Sequence, residues 1–303
     1  MINTVLGKID NSIIDKCLCH EHICCFSEYV SKMIGEDYFD EKNVVKQAVK
    51  ELKTLKNNHS LNLFIDCTPV NIGRNIPLLK KISTESGVHI VCSTGFYYTQ
   101  EPILYGASEE IIAEYIVKDA KSVNAGVIKA AVETEEIDFF NEKLLKATAL
   151  AHNDLKLPIA LHTNAKNKNA LKAIEILVKY NVEPNYITIG HLSDTEDFDY
   201  VLEIARLGCF IGLDRLYDNK SKEYIEKKIK TILDLCNRGF ENKILLSHDE
   251  SVFNGFDYIP IPLIKEKTRF SYVFEYILPK LDKTLVDLIM RKNPLNMLTC
   301  KRG

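Results

Sequence analysis

Eight short apolar runs recur along this chain, and longer segments with the pattern of amphipathic helices separate them. The runs are KCLCHEH (16–22), LNLFIDC (61–67), VHIVCST (88–94), GVIKAAV (126–132), LPIALHT (157–163), YITIGH (186–191), GCFIGLD (208–214) and KILLSHD (243–249). Short runs rich in β-branched residues that alternate with helical segments indicate a parallel sheet built from βα units. Eight units in 303 residues, without a glycine-rich phosphate turn, predict a (β/α)8 TIM barrel rather than a doubly wound sheet.

Two of the intervening segments show the expected helix signals. Residues 40–55, DEKNVVKQAVKELKTL, form an amphipathic stretch. Residues 194–208, DTEDFDYVLEIARLG, open on the cap candidates Asp194 and Thr195 and close on Gly208, as helix capping prefers. Because no low-complexity stretch, linker or shift in composition interrupts the pattern, we expect one domain over residues 1–303.

Composition limits the class of partner. The chain has 39 Lys and Arg against 42 Asp and Glu, so no global basic field favours nucleic acid or a membrane surface. It lacks a run of about 18 apolar residues, and MINTVLGKIDNSIID does not have the layout of a secretory signal. Nine scattered cysteines are best interpreted as reduced thiols. We therefore expect a cytoplasmic protein with a small-molecule substrate and with no nucleic-acid or membrane partner.

Histidine and aspartate side chains occur at the ends of the predicted strands. His20 and His22 end the first run, and the fifth, sixth and eighth runs carry His162, His191 and Asp249. Active sites of this barrel lie at the C-terminal ends of the strands, so these side chains should meet at one rim. Strand residues at i and i+2 share a face, which points both His20 and His22 into the barrel mouth. Imidazole and carboxylate groups on one rim suit a divalent ion such as zinc.

Each residue also has an ordinary structural explanation when it is considered alone. A His-x-His pair in a strand is often a packing feature, strand-end histidines are often hydrogen-bonded core residues, and Asp249 could cap a helix. Their joint occurrence at strand C-termini favours the metal site. Thiolate ligation by Cys17, Cys19, Cys24 or Cys25 is an alternative, but no second cysteine pair at zinc-finger spacing accompanies them.

Lys129 lies inside the otherwise apolar fourth run, AGVIKAAVE. A charged lysine is costly to bury, so one interpretation is that it snorkels to solvent or pairs with a carboxylate. Burial also depresses the pKa of a lysine, and a neutral amine can react with carbon dioxide to give a carbamate. Such a group is an anionic, bidentate oxygen ligand that could bridge two metal ions about 3.5 to 4 Å apart.

This arrangement resembles the ligand pattern of the binuclear amidohydrolases, which combine His-x-His on strand one, Lys on strand four, His on strands five and six, and Asp on strand eight. The segments IDCTPVNIGRNIPLLKKISTESGVHIVCSTGFY, IGHLSDTEDFDYVLEIARLGCFIGLDR and ILLSHD resemble the phosphotriesterase-related branch, which includes the phosphotriesterase-like lactonases. The resemblance runs from TVLGKI to NPLNML. It implies a homodimer and a centre of two divalent ions per chain bridged by N6-carboxylated Lys129 and a hydroxide.

The resemblance also implies a role for each ligand. His20, His22 and Asp249 would hold the more buried ion, and His162 and His191 would hold the other. Asp249 would take the proton as the bridging hydroxide attacks the substrate. Zinc is the expected metal, with manganese, cobalt and iron as alternatives, because this donor set tolerates all four.

Departures from the phosphotriesterases bear on the substrate. In those enzymes a histidine follows the GLD of strand seven and shuttles protons with an aspartate three residues after the strand-six histidine. Here Asp194 is retained, but Arg215 replaces the histidine. Arg215 together with Tyr97 of TGFYY resembles the mouth of the lactonase members. Arg215 is equally consistent with a salt bridge to Asp214 or Asp194 that only fixes the loop.

The segment IPLIKEKTRFSYVFEY, which follows strand eight, carries Lys265, Lys267 and Arg269, with Tyr272 one helical turn further on. Barrel enzymes often hold phosphate with the loops after strands seven and eight, and arginine binds it bidentately. A run of charges is also typical of a solvated face, so both interpretations stay open. The resemblance favours phosphate, because lactonases of this branch that act on phosphorylated sugar lactones carry a similar Arg-x-x-Tyr pair.

The sequence therefore predicts a metal-dependent hydrolase. The first hypothesis is a lactonase that opens a sugar lactone, with or without a phosphate, using Asp249 as general base. The alternatives within enzymes are a phosphotriesterase (aryldialkylphosphatase) and an N-acyl amide hydrolase that use the same metal centre. A non-catalytic metal-binding barrel is the alternative from another class, and the completeness of the ligand set argues against it.

Overall fold

The computed structural model describes residues 1–99, 101–216, 221–256 and 268–299. The strands are β1 (Ile2–Thr4), β2 (Gly7–Ile9), β3 (Lys16–Cys25), β4 (Leu61–Asp66), β5 (His89–Gly95), β6 (Val127–Ala131), β7 (Ile159–His162), β8 (Ile187–Ile189), β9 (Phe210–Leu213), β10 (Ile244–Leu246) and β11 (Ser251–Asn254). The α-helices are α1 (Glu28–Ile34), α2 (Glu41–His59), α3 (Ile76–Ser86), α4 (Pro102–Tyr105), α5 (Glu109–Val123), α6 (Phe139–Leu155), α7 (Ala170–Lys179), α8 (Phe198–Leu207), α9 (Lys222–Asn237), α10 (Lys283–Asp287) and α11 (Asn293–Thr299). None of the described helices combines the length and the apolar composition that crossing a lipid bilayer requires.

The parallel strands β3 to β10 form the wall of a barrel. They pair in sequence order, and each of the eight predicted runs overlaps one of them. The eighth strand closes the barrel in two parts, because β10 pairs with β9 whereas β11 pairs with β3. Between these parts, the amide of Asp249 donates to the carbonyl of His20, and the amide of His22 donates to that of Glu250. The predicted (β/α)8 barrel is confirmed.

Buried apolar side chains form one cluster inside the barrel and a larger one between the strands and the helices. Strand alternation separates them, since Leu63 and Ile65 belong to the inner cluster and Phe64 to the outer one. Ile2 of the β1–β2 hairpin and Met297 of α11 also contribute to the inner cluster. The barrel interior is therefore filled by side chains, as is usual for this fold, and polar groups concentrate at the C-terminal rim.

The helix predicted over residues 194–208 begins later than expected. Asp197 is the N-cap of α8, and its side chain accepts a hydrogen bond from the amide of Tyr200 at 3.1 Å. Asp194 instead ends a short 3-10 turn that starts directly after His191. The predicted stop is correct, because Gly208 caps the C-terminus with a φ of 97°. This turn keeps Asp194 at the rim, beside the strand that carries His191.

We predict that Gly95→Ala destabilises the barrel at the strand that carries Lys129. Gly95 ends β5 with a φ of +90°, and a Cβ there would lie 2.1 Å from the main-chain oxygen of Lys129. The substitution should lower the free energy of unfolding by about 2 kcal/mol or more, measured by denaturant unfolding. Gly106→Ala is the control, because a Cβ at Gly106 would meet nothing within 4 Å, and it should change stability by less than about 0.5 kcal/mol. Equal stability of the two variants would contradict the constraint at Gly95.

Candidate metal centre and active site

The structure brings His20, His22, His162, His191 and Asp249 together at the C-terminal rim. Nε2 of His22 lies 3.1 Å from Oδ1 of Asp249, and Nε2 of His20 lies 3.6 Å from the same oxygen. The ligand atoms of these three residues all fall within 4.8 Å of one another. Across the rim, Nε2 of His191 is 2.7 Å from Nδ1 of His162. The set has the imidazole and carboxylate donors that a divalent ion of the zinc type prefers.

Local backbone geometry positions several of these side chains. His191, Arg215 and Asp249 have left-handed φ values of 65°, 59° and 53°. Each lies shortly after the end of a barrel strand, β8, β9 or β10. Such conformations are unfavourable for residues other than glycine and are found preferentially at functional sites. Three of the eight non-glycine residues with left-handed φ in the described chain therefore lie just after strand ends and belong to the candidate site.

Asp214, which directly follows β9, orients two of the imidazoles. Its Oδ1 lies 2.9 Å from Nδ1 of His191 and also accepts from the His191 amide, and its Oδ2 lies 2.9 Å from Nδ1 of His20. Both rings therefore carry hydrogen on Nδ1 and present Nε2 as a potential ligand. Burial opposes the ionisation of Asp214, but the adjacent His191 and His20 hold its pKa well below the usual range.

Asp214 could itself form a metal-binding group with His20 and His191. We assign it the orienting role because it faces the Nδ1 atoms of both rings. An acidic partner behind a ligand histidine is the usual arrangement at metal sites.

The contact between His162 and His191 indicates whether the site suits a cation. Glu133 Oε2 lies 2.8 Å from His162 Nε2, so that nitrogen is the donor and Nδ1 keeps a lone pair. Nδ1 of His162 then faces Nε2 of His191, another lone pair, at 2.7 Å. Two lone pairs this close repel each other unless a proton or a cation lies between them. Burial, and then the neighbouring His191, hold the pKa of His162 well below its ordinary value, which disfavours the proton. The donor arrangement therefore fits a divalent cation.

Lys129 lies in β6 with a side chain that is only 1% exposed. Its Nζ hydrogen-bonds Nε2 of His20 at 2.9 Å, and the side chain lines the floor of the pocket. Snorkelling to solvent therefore does not describe this lysine. Burial, and then the nearby Lys129 charge, lower the pKa of His20 to about 3, which keeps that imidazole neutral and available as a ligand.

Arg215 connects two acidic side chains at the mouth. Its Nε donates to Oδ2 of Asp249 at 2.8 Å, and its Nη1 donates to Oδ2 of Asp194 at 2.7 Å. Of the two salt bridges considered from the sequence, the one with Asp194 is present, whereas Asp214 binds the imidazoles. Burial opposes the ionisation of Asp249, but His191 and a hydrogen bond from His22 lower its pKa well below the ordinary value, so the carboxylate stays charged.

A pocket of about 740 Å³ opens above the rim, and its walls are mostly apolar. The described residues that line it include His22, Cys25, Val30, Ile34, Tyr38, Ile72, Tyr97, Tyr98, Lys129, His162, Arg215, Asp249 and Phe256. Tyr97 thus lies at the mouth, with its ring centroid 5.1 Å from that of His162. Burial, and then Tyr98, raise the pKa of Tyr97 far above its usual value, so its hydroxyl stays protonated.

Of the four residues predicted to bind phosphate, two are absent from the described lining of the pocket and two fall outside the described residues. Lys265 and Lys267 fall outside the described ranges. Arg269 Nε donates to Oε2 of Glu250 at 2.7 Å, and Tyr272 is buried with its ring 4.8 Å from that of Tyr276. Neither Arg269 nor Tyr272 is among the described residues of the pocket lining. Phosphate binding by this segment stays a prediction.

The cysteines divide between the core and the pocket. Cys17 and Cys19 belong to the inner barrel cluster, with their sulfur atoms 4.0 Å apart, and Cys24 is buried outside it. Only Cys25 of these four is among the described residues that line the pocket. Every cysteine in the described part of the chain is a free thiol.

Sequence reasoning did not assign several residues to the support of the predicted ligands. Asp214 and Glu133 bind ligand imidazoles, and Oγ1 of Thr68 lies 2.8 Å from Nδ1 of His22. His248 is a buried structural residue, because its Nδ1 lies 2.6 Å from Oε1 of Glu21. The available signal was position, since these polar residues lie at or just after strand ends, as the ligands themselves do.

Comparison with known proteins identifies the family. The sequence model of the phosphotriesterase family matches residues 1–298. The chain belongs to the phosphotriesterase family. The expected resemblance is thereby confirmed, and membership together with the histidine and aspartate groups makes this chain a phosphotriesterase-family metal-dependent hydrolase.

The names of relatives of this chain indicate different activities. The chain is 34% identical to an aryldialkylphosphatase of Saccharolobus solfataricus, over 81% of this chain and 80% of the relative. It is 26% identical to a phosphotriesterase homology protein of Mycobacterium tuberculosis, over 92% and 90% of the two chains. It is 25% identical to the N-acetyltaurine hydrolase of Homo sapiens, over 99% and 98%.

Proposed function

We propose that this chain hydrolyses uncharged esters with apolar substituents, and that phosphotriesters are the first substrate class to test. The observation that carries the proposal is the convergence of four imidazoles and one carboxylate at one rim, where His22, His162 and Asp249 line a large, mostly apolar pocket. Aryl and alkyl groups suit apolar walls, while the reacting centre needs the few polar groups at the floor. The name of the Saccharolobus solfataricus relative supports this class.

The ligands divide into two groups in our proposal. His20, His22 and Asp249 would hold one divalent ion, and His162 and His191 would hold the other. Zinc suits these nitrogen and oxygen donors, although manganese, cobalt and iron suit them as well. When bound, the ions would polarise the phosphoryl or carbonyl oxygen and would let a water molecule ionise near neutral pH.

We further propose that Lys129 carries an N6-carboxyl group when the ions are bound. The support is its burial beside His20 at the pocket floor, since a carbamate would replace a buried cation by an anionic ligand. Reconstitution of the metal-free protein with zinc should therefore require bicarbonate, and native mass spectrometry should show a mass increase equal to one carbon dioxide. Full zinc binding in carbon dioxide-free buffer, without this increase, would contradict the proposal.

Asp249 is the proton acceptor in this scheme. It lies at the pocket floor, and its charged carboxylate is oriented by the Nε donor of Arg215. Arg215 also contacts Asp194, whose side chain is 30% exposed, and we assign to Asp194 the onward transfer of the proton toward solvent. Arg215 positions both acids, and Tyr97 supplies a protonated hydroxyl at the mouth.

Asp249→Asn is expected to lower the hydrolysis rate by about 100-fold or more, because an amide cannot accept the proton. Most of the bound metal should remain, since the imidazole ligands are unchanged and an amide oxygen can still coordinate. Initial rates and metal content by elemental analysis would be measured on the same preparation. Asp197→Asn is the matched control, because Asp197 caps α8 and pairs with Lys168, neither residue is in the described pocket lining, and asparagine caps equally well. Normal turnover by Asp249→Asn would show that another group is the base.

Lactone hydrolysis is the second candidate function. The observation in its favour is that Arg215 and Tyr97 line the same pocket, in the positions that resemble the lactonase members. A sugar lactone is uncharged, and its carbonyl could meet the same metal centre. If that sugar carried a phosphate, the segment that contains Lys265, Lys267, Arg269 and Tyr272 would have to bind it.

A substrate panel distinguishes the candidates. It contains an aryl dialkyl phosphate, N-acetyltaurine with a second N-acyl amide, and one sugar lactone with and without a phosphate. Preference for the phosphate triester supports our first class, and preference for either amide supports the activity named in the human relative. Strong preference for the phosphorylated lactone over the plain one would support the Arg269 and Tyr272 hypothesis. If no member is hydrolysed by the zinc-loaded protein, the proposed ester hydrolysis is wrong.

A further inference from the structure

Glu133 follows β6 and is not one of the predicted ligands, yet it contacts one of them. Its Oε2 lies 2.8 Å from Nε2 of His162, and its Oε1 accepts a hydrogen bond from Nδ2 of Asn164 at 2.8 Å. The carboxylate is thus held at both oxygens. It keeps the hydrogen of His162 on Nε2 and turns Nδ1 toward His191, in the arrangement that acidic partners impose on metal-binding histidines.

The loop after β7 holds the main chain around Glu133. Asn167 Nδ2 donates to the carbonyl of Glu133 at 3.1 Å. Asn169 Nδ2 donates to the carbonyls of Val132 at 3.3 Å and Thr134 at 3.0 Å, on either side of it. Because the Glu133 side chain is 38% exposed, its contact with His162 alone would be a weak and mobile pair. These asparagine contacts instead fix the place from which the carboxylate reaches the imidazole.

The other ligand imidazoles have different partners. His22 contacts Thr68, whereas His20 and His191 contact Asp214. Glu133 therefore acts through His162 alone, and His162 belongs to only one of the two ligand groups. Asp214, by contrast, supports one imidazole in each group.

We propose that Glu133 is a positioning residue that sets the affinity of one ion of the pair, the ion held by His162 and His191. The proposal rests on the metal-dependent function proposed above. Glu133 does this by fixing the ring tautomer of His162 and by making its Nδ1 a stronger donor. Loss of such a partner typically weakens metal binding by about 10- to 100-fold.

The test is a zinc titration of the metal-free protein in bicarbonate-containing buffer against a chelating indicator, in which the wild type should show two binding steps. Glu133→Ala should weaken one step by about 10- to 100-fold and leave the other within about threefold. Glu133→Gln keeps the side-chain shape and removes the charge, so it should give a smaller loss at the same step. Glu135→Ala is the matched control, because Glu135 is an exposed glutamate of the same loop, and it should bind both ions as the wild type does.

Two further variants identify the affected step. Thr68→Val should weaken the step that Glu133→Ala leaves unchanged, whereas Asp214→Asn should weaken both. Thermal unfolding of the metal-free variants shows whether each one is folded. Equal weakening of both steps by Glu133→Ala, or no weakening at either, overturns the proposal. If the wild-type protein itself does not bind two ions, the binuclear function fails, and this outcome is distinct from failure of the Glu133 assignment.

Discussion

Parallel strand pairing around a closed barrel is the constraint on which the site depends. Because β3 to β10 all run in the same direction, their C-terminal ends form one rim, and side chains from distant parts of the sequence meet there. Closure requires the split eighth strand, in which the amide of Asp249 bonds to the carbonyl of His20. The same hydrogen bond that completes the wall thus places Asp249 beside the first ligand pair. Barrel closure therefore also brings Asp249 close to the predicted ligands His20 and His22.

The polar groups at the rim are buried, and the structure stabilises them by giving each imidazole a polar partner. Buried imidazoles and carboxylates need partners, because unpaired polar groups in the interior are costly. Asp214 supplies a partner to two imidazoles, Thr68 to a third and Glu133 to a fourth. Each partner binds one ring nitrogen and leaves the other facing the site. The apolar cluster that fills the barrel supplies the stability that offsets the left-handed residues of the rim.

Much of the fold, and the convergence of the predicted ligands at one rim, could be predicted from local sequence. Strand runs such as VHIVCST can be recognised because buried segments rich in β-branched residues have a clear pattern, and every predicted run overlaps a barrel strand. The start of α8 was wrong because the hydrogen bond that caps it, to Asp197 rather than to Asp194 or Thr195, depends on how the turn after His191 folds. The surroundings of Arg269 could not be predicted either, since its contact with Glu250 joins residues 19 positions apart in the sequence.

The sequence by itself determined the barrel, the strand ends and the types of side chain that reach the rim, because strand periodicity fixes which residues share a face. Only the tertiary structure decided which groups touch. It paired Arg215 with Asp249 and Asp194, assigned Asp214 to the imidazoles, and brought Glu133 to His162. The physical reason is that a hydrogen bond needs its donor and acceptor within about 3 Å. That spacing across strands is set by barrel closure and loop conformation, which no local pattern of residues encodes.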